Sequence, residues 1–100
     1  MNKGKKVLEG LGYEEKDTII TKSGGRYDKG SDSEEIVMVS EAENGEVSYI
    51  RIVDGVVIKG HEREAGVLNK DELYGIYEIC KEQGWYSEEE LKSRYGRFEE

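Results

Sequence analysis

The sequence contains no proline, one cysteine and one histidine among its 100 residues. The single cysteine, Cys80, excludes an internal disulfide, which argues against a disulfide-stapled secreted scaffold. No apolar run approaches the roughly 18 residues that cross a bilayer, and no signal-peptide apolar core is recognisable. We therefore expect a cytoplasmic protein without a membrane segment.

Basic residues are scarce relative to acidic ones, with 15 Lys and Arg against 23 Asp and Glu, a formal net charge of −8. Such a charge opposes direct binding to nucleic acid or to an anionic membrane. Hydrophobic residues make up 35% of the chain. This is enough for one small core, so we expect a single domain over residues 1–100.

Motifs for catalysis and for metal binding are also missing. No nucleophile and orienting carboxylate can be placed around His61, and Cys80 lies in the inner stripe of a predicted helix, where a thiol is protonated and inert. Asp28–Glu35 lacks the glycine and the bidentate glutamate of a calcium loop, and Ser23–Arg26 lacks the lysine and hydroxyl of a P-loop. We expect a non-enzymatic protein without a cofactor or metal.

The stretch Glu35–His61 carries the strongest structural signal. Its dipeptides Asn44-Gly45 and Asp54-Gly55 stand between β-branched runs and suit two-residue type I′ turns, in which both central residues have positive φ. We therefore predict a three-stranded antiparallel meander. The predicted register pairs Glu43 with Glu46, Val39 with Ile50, Val37 with Ile52, Val53 with Val56 and Ile52 with Val57.

This register divides the meander into two faces, because successive side chains in a strand point to opposite sides. The predicted core face consists of Val37, Val39, Ile50, Ile52 and Val57. The other face mixes apolar and polar side chains, namely Ile36, Met38, Val53, Val56 and Ile58 with Ser40, Tyr49 and Arg51. That mixture is too apolar for an ordinary solvated face, so we expect it to be a binding surface.

The remaining elements are predicted from local signals. A helix is expected over residues 3–11 and an edge strand over Thr18–Lys22. Residues 23–34, rich in glycine, serine and aspartate, are expected to form a mobile loop. Towards the end of the chain, Asn69 with Glu72 and Ser87 with Glu90 have the spacing of two capping boxes that begin helices.

These elements predict an α+β fold. It has an N-terminal helix, a small and mostly antiparallel sheet made of the three-stranded meander plus one edge strand, and two C-terminal helices packed on one face.

Acidic residues are concentrated in one part of the chain. Between Asp28 and Glu46 there are seven carboxylates and one cation, Lys29. We expect them to make one end of the sheet strongly negative, with carboxylates at phosphate-like spacing that dock on a basic protein. The expected partner is a nucleic-acid-binding protein whose basic surface is masked, without direct contact between this chain and nucleic acid.

In size, acidity and order of predicted elements, the chain resembles small phage-encoded inhibitors of host defence nucleases, the anti-CRISPR type that competes with DNA. The resemblance covers most of the chain and implies a DNA-mimic inhibitor.

The alternative is a structural module that forms a homodimer through the mixed sheet face. The residues predicted to bind a partner are Asp32, Glu34, Glu35, Glu41, Glu43, Glu46, Met38, Tyr49, Val56 and Ile58.

Overall fold

A computed structural model describes residues 3–30, 34–61 and 68–95. The predicted α+β class is confirmed. In chain order the elements are α1 (Lys3–Gly10), β1 (Glu14–Glu15), β2 (Thr18–Ile20), β3 (Arg26–Asp28), β4 (Glu35–Glu41), β5 (Val47–Val53), β6 (Val56–His61), α2 (Lys70–Gln83) and α3 (Glu88–Tyr95). None of the helices in the described ranges is long and apolar enough to cross a membrane.

The chain divides into two compact units. The helical unit comprises Met1–Leu11 and Leu68–Glu100, and the sheet unit comprises Gly12–Val67. Our expectation of one domain over residues 1–100, with the C-terminal helices packed on one face of the sheet, stays a prediction.

In the helical unit, α1 and α2 approach each other at two glycines. A Cβ atom added to Gly4 would meet the carbonyl oxygen of Gly75 and the side chain of Ile79. One added to Gly75 would lie 3.0 Å from Leu8, a fully buried residue of α1. The two helix backbones are therefore in direct contact, and only glycine fits at Gly4 without a shift of one helix.

The predicted capping boxes are confirmed. The backbone N–H of Glu72 donates to Asn69 Oδ1 at 2.8 Å, and the Asn69 N–H donates to Glu72 Oε1 at 3.0 Å. Ser87 and Glu90 make the same reciprocal pair at 3.2 Å each. Gly84 ends α2 with a φ of 69°, as expected for a left-handed residue after a helix.

The sheet unit contains a four-stranded antiparallel sheet of order β1-β4-β5-β6 and a separate two-stranded sheet, β2-β3. The meander is confirmed, but its additional edge strand is Glu14–Glu15 and not the predicted Thr18–Lys22. Thr18–Ile20 pairs instead with Arg26–Asp28, inside the stretch 23–34 predicted to be a loop. Residues 31–33 of that stretch lie outside the described residues, and its mobility stays a prediction.

The second predicted turn is confirmed. Asp54 and Gly55 have φ values of 49° and 84°, as a type I′ turn requires,. Val53 pairs with Val56, and Ile52 pairs with Val57. A positive φ is rare for a residue with a Cβ, and aspartate is one of the few that adopt it readily.

The first predicted turn is wrong by one residue. Ala42 N–H donates to the Glu46 carbonyl oxygen at 2.9 Å, and Gly45 N–H donates back to the Ala42 carbonyl oxygen at 2.9 Å. The loop therefore has three residues, and among them only Gly45 has positive φ, at 86°. This is the pattern of a type I turn followed by a left-handed glycine. Glu43 does not oppose Glu46.

This shift moves every side chain of β4 to the other face of the sheet. Val37 pairs with Arg51 and Val39 pairs with Tyr49, instead of with Ile52 and Ile50. The two predicted faces are therefore wrong for β4 and right for β5 and β6. One observed face carries Ile36, Met38, Ile50 and Ile52, all buried.

The other observed face, called the hairpin face here, carries Val37, Val39, Tyr49, Arg51, Val53, Val56 and Ile58. The β2-β3 hairpin covers part of it. Ile19 of β2 joins Val37, Val39 and Val47 in one buried cluster, against which Tyr27 and Tyr49 pack. The hairpin face therefore has its own small core, and its β6 side extends beyond that cluster.

Candidate functional site

The predicted partner-binding residues do not form one surface. Met38 is fully buried, because the corrected register places it opposite Ile50 on the buried face. Glu35 is buried too, in the ion pair described below. Both are therefore wrong as exposed contact residues. Asp32 lies outside the described residues.

The exposed carboxylates of β4 lie at opposite ends of the strand. Glu34 precedes β4 and accepts, through its carbonyl oxygen, a 3.0 Å hydrogen bond from Asp54 N–H at the β5-β6 turn. Glu41 ends the strand beside the other turn, where Glu43 and Glu46 lie. Seven strand residues separate the two groups by about 20 Å, so the expectation of a single acidic end is wrong.

A cation also reaches the turn between β4 and β5. Carbons of the Lys22 side chain lie 3.8 and 3.9 Å from the position that a Cβ of Gly45 would occupy. The acidic residues around this turn therefore share it with a lysine from the connection between β2 and β3. Its local charge is less negative than the sequence alone indicated.

The buried carboxylate of Glu35 belongs to a charged triad with Tyr27 and Arg51. The Tyr27 hydroxyl lies 2.9 and 2.8 Å from the two Glu35 carboxylate oxygens and donates to them. Arg51 Nε donates to Glu35 Oε2 at 3.2 Å, and Arg51 Nη2 donates to the Tyr27 hydroxyl oxygen at 2.7 Å. Gly30 N–H adds a longer bond of 3.4 Å to Glu35 Oε1. The Glu35 side chain is 1% exposed and that of Arg51 is 21% exposed.

The triad keeps Glu35 ionised. Burial alone would raise the pKa of Glu35, but the hydrogen bonds from Tyr27, Arg51 and Gly30 outweigh it and lower that pKa below its ordinary value of 4.5,. The hydrogen bond to Glu35, together with burial, raises the pKa of Tyr27. At neutral pH the triad is therefore a neutral unit, one carboxylate against one guanidinium, with a protonated phenol between them.

Arg51 also stacks on Tyr27. Its guanidinium carbon lies 3.8 Å from the centre of the Tyr27 ring, the distance of a close cation–π contact,. The triad thus fastens β3, through Tyr27, to β4 and β5. It positions the β2-β3 hairpin on the hairpin face.

Three of the predicted residues do come together on the outer side of the hairpin face. Val56 and Ile58 of β6 are 59% and 40% exposed, and Tyr49 of β5 lies beside them. A Cβ added to Gly60 would collide with the Tyr49 ring, so that ring lies over the glycine. Tyr49, Val56 and Ile58, which lie on the same face of β5 and β6, are called the edge patch from here on.

The edge patch lies on the last strand of the sheet. Among the strands that the structure describes, β6 has only β5 as a neighbour. Edge strands expose backbone groups that another chain can pair with, and proteins usually protect them with charges or prolines. β6 contains one lysine, Lys59, on the face of Ile50, and two exposed aliphatic side chains, Val56 and Ile58, on the other face.

A pocket of about 250 Å³ adjoins the edge patch. Ile19, Tyr27, Tyr49 and Arg51 line it, together with Thr21, Gly25 and Arg26. It lies between the β2-β3 hairpin and the hairpin face, and it shares Tyr49 with the patch. Its size suits one side chain of a partner protein, and its wall combines an isoleucine and two tyrosines with two arginines,.

Two features of the site were missed in the sequence, for different reasons. The pairing of Tyr49 with Gly60 follows from the correctly predicted Asp54-Gly55 turn, so the aromatic residue opposite a glycine was a usable signal. The triad had no local signal, because Tyr27 lies in a polar stretch and meets partners 8 and 24 residues away.

Cys80 is fully buried in α2, as predicted, and the side chain of His61 lies outside the described residues. Comparisons with protein-family models, with curated proteins and with solved structures find no match for this chain.

Proposed function

We propose that this chain is a small, acidic, non-enzymatic protein-binding regulator or inhibitor that acts in the cytoplasm on a basic protein. The observation that carries the proposal is the edge patch, an exposed apolar ledge on an edge strand with a side-chain-sized pocket beside it. Interfaces are typically built from a few aromatic and aliphatic anchors inside a polar rim. The edge patch supplies the anchors, and exposed acidic residues supply the rim.

The charged triad supports the use of this surface. Arg51 pairs with Ile58 across the strands, so an unpaired guanidinium there would be costly to cover with a partner. Glu35 neutralises it from inside the fold. A partner can then bury the edge patch without burying an uncompensated charge.

The net charge of −8 supports a basic partner. Long-range attraction accelerates association and selects against acidic partners, and it weakens as salt screens it. The finer proposal is that the partner binds nucleic acid and that this chain masks its basic surface as a DNA mimic. Glu41 and Glu43, both exposed, are the carboxylates available for that role at the β4-β5 turn.

Capture of partners from a native lysate tests the proposal when wild type is compared with two variants. Ile58→Thr removes an edge-patch anchor and keeps a β-branched residue. Ile20→Thr is the matched control, because Ile20 is 57% exposed on β2, away from the patch. We expect one basic protein to be lost with Ile58→Thr and kept with Ile20→Thr. Equal capture by all three proteins would remove the support for the edge patch.

The acidic part of the proposal has its own test. Capture should fall steeply between low and high salt, and the double substitution of Glu41→Lys and Glu43→Lys should weaken it. Addition of duplex DNA should compete with this chain for the captured protein if masking is correct. Capture that is insensitive to salt and to both substitutions would contradict electrostatic docking.

Self-association is a second candidate, favoured by the same exposed edge strand. Two copies paired through β6 would form a homodimer with one continuous sheet. Light scattering distinguishes it from the first proposal. A dimer dissociated by Val56→Glu would support it, and a monomer at all concentrations would exclude it.

A further inference from the structure

We propose that the partner binds by strand addition, with an extended basic segment pairing with the outer edge of β6. This inference rests on the proposed protein-binding function and specifies how that surface is used. It concerns the backbone of β6, which the edge-patch side chains alone do not address.

The register shows which backbone groups of β6 point outward. Lys16 N–H donates to the Val37 carbonyl oxygen at 2.9 Å, so the backbone groups of Val37 point towards β1 and away from β5. Its partner in the register, Arg51, must then direct its own groups to the other side, towards Ile58. Hydrogen-bonded and non-bonded pairs alternate in an antiparallel ladder. The N–H and C=O of Val57 therefore point outward from the sheet.

The side chains next to Val57 make this edge suitable for an added strand. Val56 and Ile58 lie on the same face, so the residues of an added strand that stand beside them would have aliphatic neighbours there. Cross-strand pairs of β-branched residues stabilise such pairing. The occupant should therefore have aliphatic residues at alternate positions.

Charge identifies the occupant as a basic segment and not a second copy of this chain. The exposed carboxylate of Asp54 lies two residues before Val56, and Asp54 N–H donates a backbone hydrogen bond to the Glu34 carbonyl oxygen. The nearest cation on the hairpin face, Arg51, is already paired with Glu35. A second copy would bring another net charge of −8, and two such copies repel each other.

Amide exchange and a model peptide test the proposal on the full-length chain. The probe is a short blocked peptide in which valine alternates with threonine between terminal lysines. In the free protein we expect fast exchange of the Val57 amide and slow exchange of the Ile58 amide. On saturation with the peptide, the Val57 amide should become protected. Binding without this protection, or no saturable binding, would overturn strand addition.

Two substitutions at Val57 distinguish the contribution of its backbone N–H to peptide binding from that of its side chain. Val57→Pro removes the outward N–H at an edge position where proline is tolerated, and Val57→Thr keeps it. We expect roughly tenfold weaker peptide binding for Val57→Pro and a small change for Val57→Thr. The wild-type exchange result decides the question if the proline variant fails to fold. Equal affinities in a folded Val57→Pro would overturn the proposal.

Two further comparisons test the occupant. Replacing the terminal lysines of the peptide by glutamates should weaken binding severalfold at low salt, and equal affinity would refute a basic occupant. Light scattering of the free protein should show a monomer. A dimer in which the Val57 amide is protected would mean that the occupant is a second copy of this chain and not a basic segment. If Ile58→Thr lowers partner capture while Val57→Pro does not, the proposed function stands and strand addition fails.

Discussion

The charged triad makes a quantitative prediction about Arg51→Met. At the 3.2 Å separation of Arg51 Nε and Glu35 Oε2, and with an effective dielectric constant of about 20, the attraction between two unit charges is about 5 kcal/mol. The cost of removing both groups from water offsets part of this. Removing one member of a buried pair leaves the other uncompensated, so we expect Arg51→Met to lower the free energy of unfolding by about 3 kcal/mol.

The pH dependence gives this prediction a definite sign. In the wild type the pKa of Glu35 is below its ordinary value of 4.5. The stability from its ionised form is therefore present above pH 4.5 and is lost as the pH falls through the folded-state pKa. In Arg51→Met we expect burial to raise the pKa of Glu35 above the ordinary value. The destabilisation by Arg51→Met should then be largest at neutral pH and smaller in acid.

Urea unfolding at pH 7 and at acid pH measures these effects, with the double variant Glu35→Gln/Arg51→Met as the control. Glutamine leaves no unpaired charge in the interior. We therefore expect the double variant to be at least about 1 kcal/mol more stable at pH 7 than Arg51→Met alone. A loss below about 1 kcal/mol in Arg51→Met would refute the reasoning. So would a double variant no more stable than the single one.

Three further predictions concern packing and capping, each measured by thermal or urea unfolding. Gly60→Ala should lower the free energy of unfolding by about 1–3 kcal/mol because its Cβ collides with the Tyr49 ring,. In a Tyr49→Ala background the same substitution should cost less, since the ring is absent. An equal cost of Gly60→Ala in both backgrounds would contradict the ring placement. Gly4→Ala should separate α1 from α2 and lower the free energy of unfolding by a similar amount. Gly10→Ala is the control, because a Cβ there has nothing within 4 Å, and it should be neutral or stabilise by up to about 1 kcal/mol. Similar losses of stability in the two variants would argue against the close helix contact. Asn69→Ala should cost about 1 kcal/mol through loss of the cap on α2,, and no loss would mean that the box contributes nothing.

The parts of the fold that were predictable from the sequence are those determined by neighbouring residues. The caps at Asn69 and Ser87 depend on residues three positions apart, and the β5-β6 hairpin depends on Asp54-Gly55. The β4-β5 register was not predictable in this way. Asn44-Gly45 suits a two-residue loop and equally the last two positions of a three-residue loop.

The pattern of hydrophobic residues could not correct the one-residue error in the predicted β4-β5 register. Residues 35–39 are all buried, so β4 has no polar face to indicate its alignment. The edge patch was partly predictable, because Tyr49, Val56 and Ile58 depend only on the β5-β6 turn. The triad was not, because it joins three strands whose spatial order no local pattern specifies.

The burial of both faces of β4 gives Glu35 a role in the fidelity of folding. A strand with apolar side chains on both sides can slide by one residue at little hydrophobic cost. Such a slip would carry Glu35 to the face opposite Arg51 and leave its carboxylate without a counter-charge, which penalises the misaligned sheet. Glu35 is the buried charged residue of β4 and is followed by four buried apolar residues, so its contribution to the protein lies in the misaligned structures that it disfavours.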